Sequence, residues 1–442
     1  MTLRLGTRPL PVAFCICLPV AAAAQTPRNP FSDLFGRAPS EASAEVTSVQ
    51  WRTTAGAQVG QTLRADFDQQ DAVPEGIAAG ADASLLARYL RDRVQAVGQG
   101  RYSYQEFRRE PAFGAPGFDL SGRINFEATT RLSLYGGGQF VRSPFFRLMW
   151  LAPDIFGPSI ASGPSAAILM QSNDTAEGTA GFTAQVGRRT TFDMRGFARQ
   201  THFAGAELSD FETAGGHAVL RRQLTRTVSI RAGYLREELR GAPAVDSDRY
   251  VNEIIDAGVD FAKSFSMGRR TTFAFATETS MVRPNGGERE FRLNGNAAFE
   301  SRFFRTWIAQ LSARRGTEFI PGFRGPLFTD RGGATLAGYL TERLLFQTHA
   351  EGGRGAVGVG GRVGVTDGTG RRFISYAADA SLTFAVTRHF GVFTQYYYYN
   401  YQMPPDPLAL VTVQHLSRQA VSIGVKTWLS IIDKEKVSRD PR

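Results

Sequence analysis

Along most of the chain apolar and polar residues trade places one by one, and a period of two marks strands whose two faces meet different surroundings. From Phe118, the positions Phe118, Leu120, Gly122, Ile124 and Phe126 interleave with Asp119, Ser121, Arg123, Asn125 and Glu127. From Phe291, the series Phe291, Leu293, Gly295, Ala297 and Phe299 interleaves with Arg292, Asn294, Asn296, Ala298 and Glu300. Elsewhere the pattern is noisier. Phe192, Met194, Gly196 and Ala198 alternate with Asp193, Arg195, Phe197 and Arg199, and the stretch from Ile374 to Val386 sets Asp379, Ser381 and Thr383 on its polar side. The segments Val46 to Asp66 and Leu344 to Gly364 alternate poorly.

The strands recur on a longer period. The hexapeptide GRRTTF occurs at Gly187 and again at Gly268, and related sites carry Arg93, Arg131, Arg189, Arg226, Arg270, Arg305, Arg343 and Arg388. Each of these arginines precedes a β-branched, leucine or histidine position and then an apolar-rich run, at spacings of 35 to 58 residues. Each site reads as a tight turn of two or three residues, so one period holds two strands, a tight turn and a longer loop. The longer loops are expected at Ser143 to Asn173, Gly241 to Asp248, Gly316 to Asp330, Arg354 to Arg371 and Met403 to His415.

Short turns at one rim, long loops at the other and strands of about 10 residues or more are the pattern of an outer-membrane barrel. Eight tight turns, with a first strand near Val46 to Asp66 and a last near Leu416 to Ile431, give about eighteen strands, in a range of 16 to 18. In lipid a sheet satisfies its backbone hydrogen bonds only by closing on itself. The expected fold is therefore all-β: a transmembrane antiparallel up-and-down β-barrel, apolar face outward. The inverse orientation would place Arg123, Asn125 and Glu127 in hydrocarbon, where a midplane arginine costs roughly 2 to 4 kcal/mol. An even strand count puts both ends of the chain at the short-turn rim, the periplasmic side in bacterial barrels.

The first residues stand apart. Arg4 and Arg8 precede an apolar run from Leu10 to Val20 that closes in Ala21 to Ala24, a secretory signal with cleavage expected after Ala24. Both cysteines, Cys15 and Cys17, lie inside it, so the mature chain has no disulfide, thiolate metal site or cysteine nucleophile. Residues 25–45 read as a flexible periplasmic lead, 46–431 as the barrel and 432–442 as a charged periplasmic tail. Only four of the 51 basic residues are lysines, and the formal charge is +10. The basic residues are spaced rather than clustered, and an exported chain rarely meets nucleic acid, so no nucleic-acid partner is expected.

The arginine turns, the run YYYYNY from Tyr396 and the closing VSIGVKTWLSII resemble outer-membrane β-barrel proteins found with exopolysaccharide export systems. The resemblance covers about Val46 to Ile431, implies no catalytic residue or cofactor, and leads one to expect recognition of the last strand by the barrel-assembly machinery. Here Val421, Ile423, Val425 and Leu429 alternate with Ser422, Gly424, Lys426 and Trp428, but a charged segment from Asp433 follows, a departure from the usual terminal aromatic.

The candidate chemistry lies on the inward face. The expected lumen-lining residues are Arg123, Asn125, Glu127, Asp193, Arg195, Arg199, Arg231, Arg292, Asn294, Glu300 and Asp379, with Asp256 and Asp260 also placed inward. Inward arginines would focus field for anionic solutes, whereas the interleaved carboxylates favour a paired wall. The turn arginines suit the membrane rim, stem on the wall and guanidinium on lipid phosphate; a turn that merely needs a polar residue is the plainer reading. Alternate rings of Tyr396 to Tyr399 and Tyr401 would join an aromatic girdle, and the inward ones would be available to stack on sugars. The apolar loop from Ser143 to Asn173 is a candidate constriction, or packs along the rim. No histidine stands beside a serine in a hydrolase setting, and no helical metal spacing occurs. A channel for polysaccharide or small polar solutes, a structural barrel without conductance, and a rim hydrolase remain as function classes, the first the best supported.

Overall fold

The computed structural model describes residues 44–65, 76–107, 113–143, 172–204, 210–240, 250–265, 271–283, 290–304, 306–318, 327–357, 372–402 and 415–437. The first nine strands are β1 (Ala44–Ala65), β2 (Gly76–Arg91), β3 (Val94–Phe107), β4 (Phe113–Thr129), β5 (Leu132–Ser143), β6 (Asn173–Gly187), β7 (Thr190–Phe203), β8 (Phe211–Gln223) and β9 (Val228–Arg240). The second nine are β10 (Tyr250–Phe265), β11 (Thr271–Arg283), β12 (Glu290–Phe303), β13 (Trp307–Glu318), β14 (Leu327–Thr341), β15 (Leu344–Val357), β16 (Arg372–Ala385), β17 (Phe390–Gln402) and β18 (His415–Val437). Every strand pairs antiparallel with its sequence neighbours, and β1 pairs with both β2 and β18. The sheet is thus an eighteen-stranded closed barrel. Closure leaves no edge strand to template further pairing.

The last strand runs past its expected end at Ile431. β1 begins at Ala44 and offers β18 a partner as far as Val437, so Asp433 to Val437 extend the ladder instead of forming a free tail. The N-terminal residues 1–43 and the interior of the loop after Ser143 lie outside the described residues, as do Arg270 and Arg305.

The alternation divides the wall as the pattern requires. Phe118, Leu120, Ile124 and Phe126 are exposed on the outer face, as are Met194, Leu293 and Ile423. Aromatic contacts collect near both rims. Towards the tight turns Phe182 meets Phe192 at 5.9 Å, and Trp307 lies 6.1 Å from Phe303 and 6.2 Å from Phe346. Towards the long loops Tyr376 stacks on Tyr398 at 5.9 Å. Such girdles flank the apolar band of membrane barrels.

Four of the tight turns are built by threonine. Thr129 Oγ1 accepts the N–H groups of Arg131 and Leu132 at 3.1 and 3.0 Å, and Thr387 Oγ1 accepts those of His389 and Phe390 at 3.2 and 3.1 Å. Thr225 does the same for Thr227 and Val228, and Thr341 for Arg343. These are side-chain-stabilised turns, in which a short hydroxyl replaces a missing ladder partner. The arginine contributes its backbone: the carbonyls of Arg93, Arg131, Arg189 and Arg343 accept N–H groups of Glu127, Gln185, Gln223 and Ala385 at 2.7 to 2.8 Å. The side chains of the six described turn arginines, Arg93, Arg131, Arg189, Arg226, Arg343 and Arg388, are exposed at the rim.

The wall shows register shifts at several places, the widest of them in β10. Between Ile255 and Asp260 of β10, residues 256–259 face only residues 277 and 278 of β11. The extra residues push Gly258 so close to the Thr277 carbonyl that no Cβ fits there. Bulges of this kind bend a strand and break its ladder.

Candidate functional site

The enclosed face carries the candidate residues. Strand pairing puts Arg123 level with Val97 and Gly137, Asn125 with Gln95 and Tyr135, and Arg195 with Gly181 and His217. By the same alternation Glu127, Asp193, Arg199, Arg231, Asn294, Glu300 and Asp379 share this face. Arg292 pairs with Ser280 at a position of the same parity, and its side chain lies outside the described residues.

These residues fall into two groups. Across β4 to β7 the face is open, with Arg123, Glu127 and Arg195 exposed. Between them, Thr183 Oγ1 donates to Asp193 at 2.8 Å and the Tyr135 hydroxyl donates to the same carboxylate at 3.2 Å. Tyr135 reaches Asp193 by lying over Gly181, where a Cβ would meet its ring. Ser133 donates to Asn125 at 2.6 Å, and Arg199 holds Glu177 at 2.9 Å.

Across β8 to β12 and β16 to β18 the same face is packed. Asp260 is only 1% exposed and is held by Arg221 at 3.0 Å and Arg231 at 3.1 Å. Glu300 is buried and accepts from Arg302 at 3.1 Å and Gln310 at 3.0 Å. Asn294 is buried, and Asp379 is half-buried opposite His349 and Tyr397. The inward rings of Tyr397, Tyr399 and Tyr401 are buried together with Phe373, whose ring occupies the space over Gly355 that a side chain there would take. The inward tyrosines therefore offer no open face to a sugar, and the rings available on this strand, Tyr396 and Tyr398, point outward.

Sequence reasoning missed several inward cations. Arg52 lies level with Ser84, Arg101 and Asp119, and Arg314 lies level with Asn296 and Arg331; both are exposed on the enclosed side. Arg101 pairs with Asp82 at 3.5 Å. The signal for Arg52 was lost in the weak alternation of β1, and Arg314 is followed by Arg315, so residue type alone does not say which points inward.

The arrangement closest to a nucleophile and base is Thr335, His349 and Glu351. Thr335 Oγ1 lies 2.9 Å from His349 Nδ1, and His349 Nε2 lies 3.5 Å from Glu351. Acyl transfer also needs donors aimed at a developing oxyanion. Thr335 lies on β14, which is paired on either side with β13 and β15, and this commits the local backbone N–H groups to the ladder. Among the described residues, no group of His, Cys, Asp and Glu is placed to hold a metal ion. Outside the spanning strands, Asp210 accepts from Phe203 N–H at 3.1 Å and contacts His202 Nδ1 at 2.7 Å. The His202 bond, ahead of the backbone one, holds the Asp210 carboxyl below the usual carboxylate range.

No family model and no curated protein matches the chain. Among solved structures it is similar to the FrpB iron transporter from Neisseria meningitidis (F5-1 variant), at 8% identity over 87% of this chain and 82% of the other, TM-score 0.42. It is also similar to Pseudomonas aeruginosa OpdQ, at 9% identity over 88% and 98%, TM-score 0.40. Acinetobacter baumannii OccAB4 matches at 10% identity over 86% and 98%, TM-score 0.41. The barrel is established by the closed strand order of the chain itself.

Proposed function

We propose that the protein is an outer-membrane channel that passes small polar solutes and favours anions. The observation that carries this reading is the asymmetry of the enclosed face. Arg52, Arg123, Arg195 and Arg314 are exposed there alongside the exposed Glu127, whereas Asp260 and Glu300 are buried and Asp193 and Glu177 are held by hydrogen bonds, so exposed cations outnumber exposed carboxylates among these residues. Guanidinium groups along a low-dielectric passage focus positive potential and raise the local concentration of anions. The outward apolar band with aromatics towards both rims supports the membrane setting. In this reading the N-terminal signal directs export, both barrel ends face the periplasm, and the assembly machinery and membrane lipid are the protein's partners. Passage of a polysaccharide is less well supported, because the inward tyrosines are buried.

Planar-bilayer recording of the purified folded barrel under a salt gradient tests the proposal. The expected result is a conducting pore whose reversal potential reports anion preference, shifted towards cations in an Arg123→Gln/Arg195→Gln variant. A folded barrel that inserts without current would favour a structural role in an envelope complex. Cation preference in the parent protein would refute the role given to the arginines.

A further inference from the structure

The outer wall is not uniformly bulky. At one level across β12 to β15, the outward residues Ala297, Ala313, Gly332 and Gly352 face one another in register. Phe275 and Tyr376 continue the same level on either side, so two aromatic rings bracket four small residues. The result is a groove of about 750 Å³, with Leu293 and Ile374 completing its apolar sides. That volume is within the roughly 300 to 1,000 Å³ of small-molecule sites.

One level nearer the long loops, the outward residues are Arg315, Asp330 and Arg354, also lining the groove. Asp330 accepts from Arg315 Nη2 at 2.9 Å and from Arg354 Nε at 3.3 Å. One carboxylate shared between two guanidiniums leaves one positive charge uncancelled, and the Arg315 and Arg354 side chains are 48% and 65% exposed. The Arg315 guanidinium also lies over the Phe328 ring at 5.7 Å, which fixes its direction. These residues sit close to the strand ends at Glu318, Leu327 and Val357, the depth at which headgroups meet a barrel wall.

We infer that this groove docks one anionic, phosphate-bearing lipid of the adjoining leaflet, its phosphate on Arg315 and Arg354 and an acyl chain on the Gly/Ala floor. The inference rests on the outer-membrane reading given above. An apolar trough capped by net positive charge complements a molecule with an anionic head and an apolar tail, and the arginine fork matches phosphate oxygens. A second copy is the poorer occupant, because a two-fold contact across this patch brings two net positive triads together. A free phosphate would leave the apolar floor uncovered.

The test uses the intact barrel purified in detergent, supplied with phosphatidylglycerol or phosphatidylcholine of the same chains, and scored for retained lipid by native mass spectrometry. The parent protein is expected to retain phosphatidylglycerol about tenfold better, as charge-assisted hydrogen bonds to one phosphate imply. Arg315→Gln/Arg354→Gln is expected to abolish that preference, and Gly352→Leu to reduce retention of both lipids. A Cβ at Gly352 meets nothing nearer than 3.7 Å, so this variant fills the groove without disturbing the ladder, and Ala313→Leu is its duplicate. A heat-shifted gel band confirms folding of each.

Equal retention of the two lipids by the parent overturns the inference, as does phosphatidylglycerol retention unchanged in all variants. A parent dimer that Gly352→Leu dissociates would assign the groove to a second copy and overturn it too. Failure of the parent to insert into bilayers would overturn the outer-membrane reading and this inference with it, whereas insertion and conductance without lipid retention would overturn this inference alone.

Discussion

Arg231 is where the interior of the barrel meets the defect in its wall. It reaches through the bulged segment of β10, donating from Nη2 to the Thr277 carbonyl at 3.1 Å, a group whose own ladder partner is displaced. Its Nη1 lies 3.1 Å from Asp260 Oδ1 in an ion pair, while Arg221 Nε donates to Oδ2 at 3.0 Å. Replacing Arg231 by methionine keeps most of the side-chain volume and removes both interactions. Taking one partner from a buried ion pair costs about 3 to 5 kcal/mol when the other charge is left alone. Arg221 remains, so the ionic part lies towards the lower end of that range, and an orphaned carbonyl adds about 1 to 3 kcal/mol. The expected loss is therefore about 4 to 6 kcal/mol. The same change at the exposed Arg315–Asp330 pair should cost about 1 kcal/mol or less.

Urea titration of the barrel in lipid vesicles, with the folded fraction read from the heat-shifted gel band, measures these losses. A cycle with Asp260→Asn supplies the coupling, because Arg231→Met should hurt less once the buried charge is gone, by about 1 to 3 kcal/mol. The reasoning fails if Arg231→Met lies within about 0.5 kcal/mol of the parent, or if the two substitutions are additive.

Gly258→Ala should destabilise by about 1 to 3 kcal/mol in the same titration, since its Cβ collides with the Thr277 carbonyl; Gly98→Ala, with nothing within 4 Å, is the neutral control. Thr387→Ala should cost about 1 kcal/mol, and Thr387→Ser should recover most of it; equal losses would remove the hydroxyl from the account of the turns. For the His202–Asp210 contact, the depressed carboxyl pKa means that the contact contributes fully above the unfolded carboxylate pKa, about 4, and is lost as pH falls through the folded value. Amide exchange at Phe203, slowed by Asp210, should therefore show less protection in acid, and Asp210→Asn should flatten the profile.

Apolar–polar alternation made the strands and their number legible, because in such a barrel one chemical contrast governs every strand. Arg123, Asn125 and Glu127 on β4 were legible for this reason: each is flanked by a bulky apolar residue or glycine committed to the outer wall. Depth and occupancy were not legible. Asp260 and Arg195 both lie on the enclosed face between residues of the outer wall, yet one is buried between two guanidiniums and the other is exposed. That difference depends on which strands meet around the barrel and on the bulge in β10, neither of which has a local signature. The YYYYNY run shows the same limit. Alternation divides its rings into two sets, but the burial of Tyr399 and Tyr401 depends on packing contributed from elsewhere in the fold.

The turns show how a recurring residue can mark a structure without holding it together. Arginine displayed the period, but its position relative to the turn varies: two residues after the bonding threonine at Arg131 and Arg343, and one after it at Arg226 and Arg388. Threonine keeps a fixed relation to the N–H groups it accepts, and the segments from Leu224 and Val386 make the same set of backbone bonds to Val228 and Phe390. The carbonyls of Arg93, Arg131, Arg189 and Arg343 continue the ladder into the adjoining hairpin and the N–H groups of Arg131 and Arg343 donate to the turn threonine, backbone roles that any non-proline residue satisfies. The arginine side chain is thereby released from folding and exposed at the rim. If rim placement against lipid phosphate is what the arginines supply, Arg131→Gln should leave the unfolding free energy within about 0.5 kcal/mol of the parent while weakening association with anionic vesicles, and Thr129→Ala should do the reverse. The same result for both substitutions would show that the two roles are not separable.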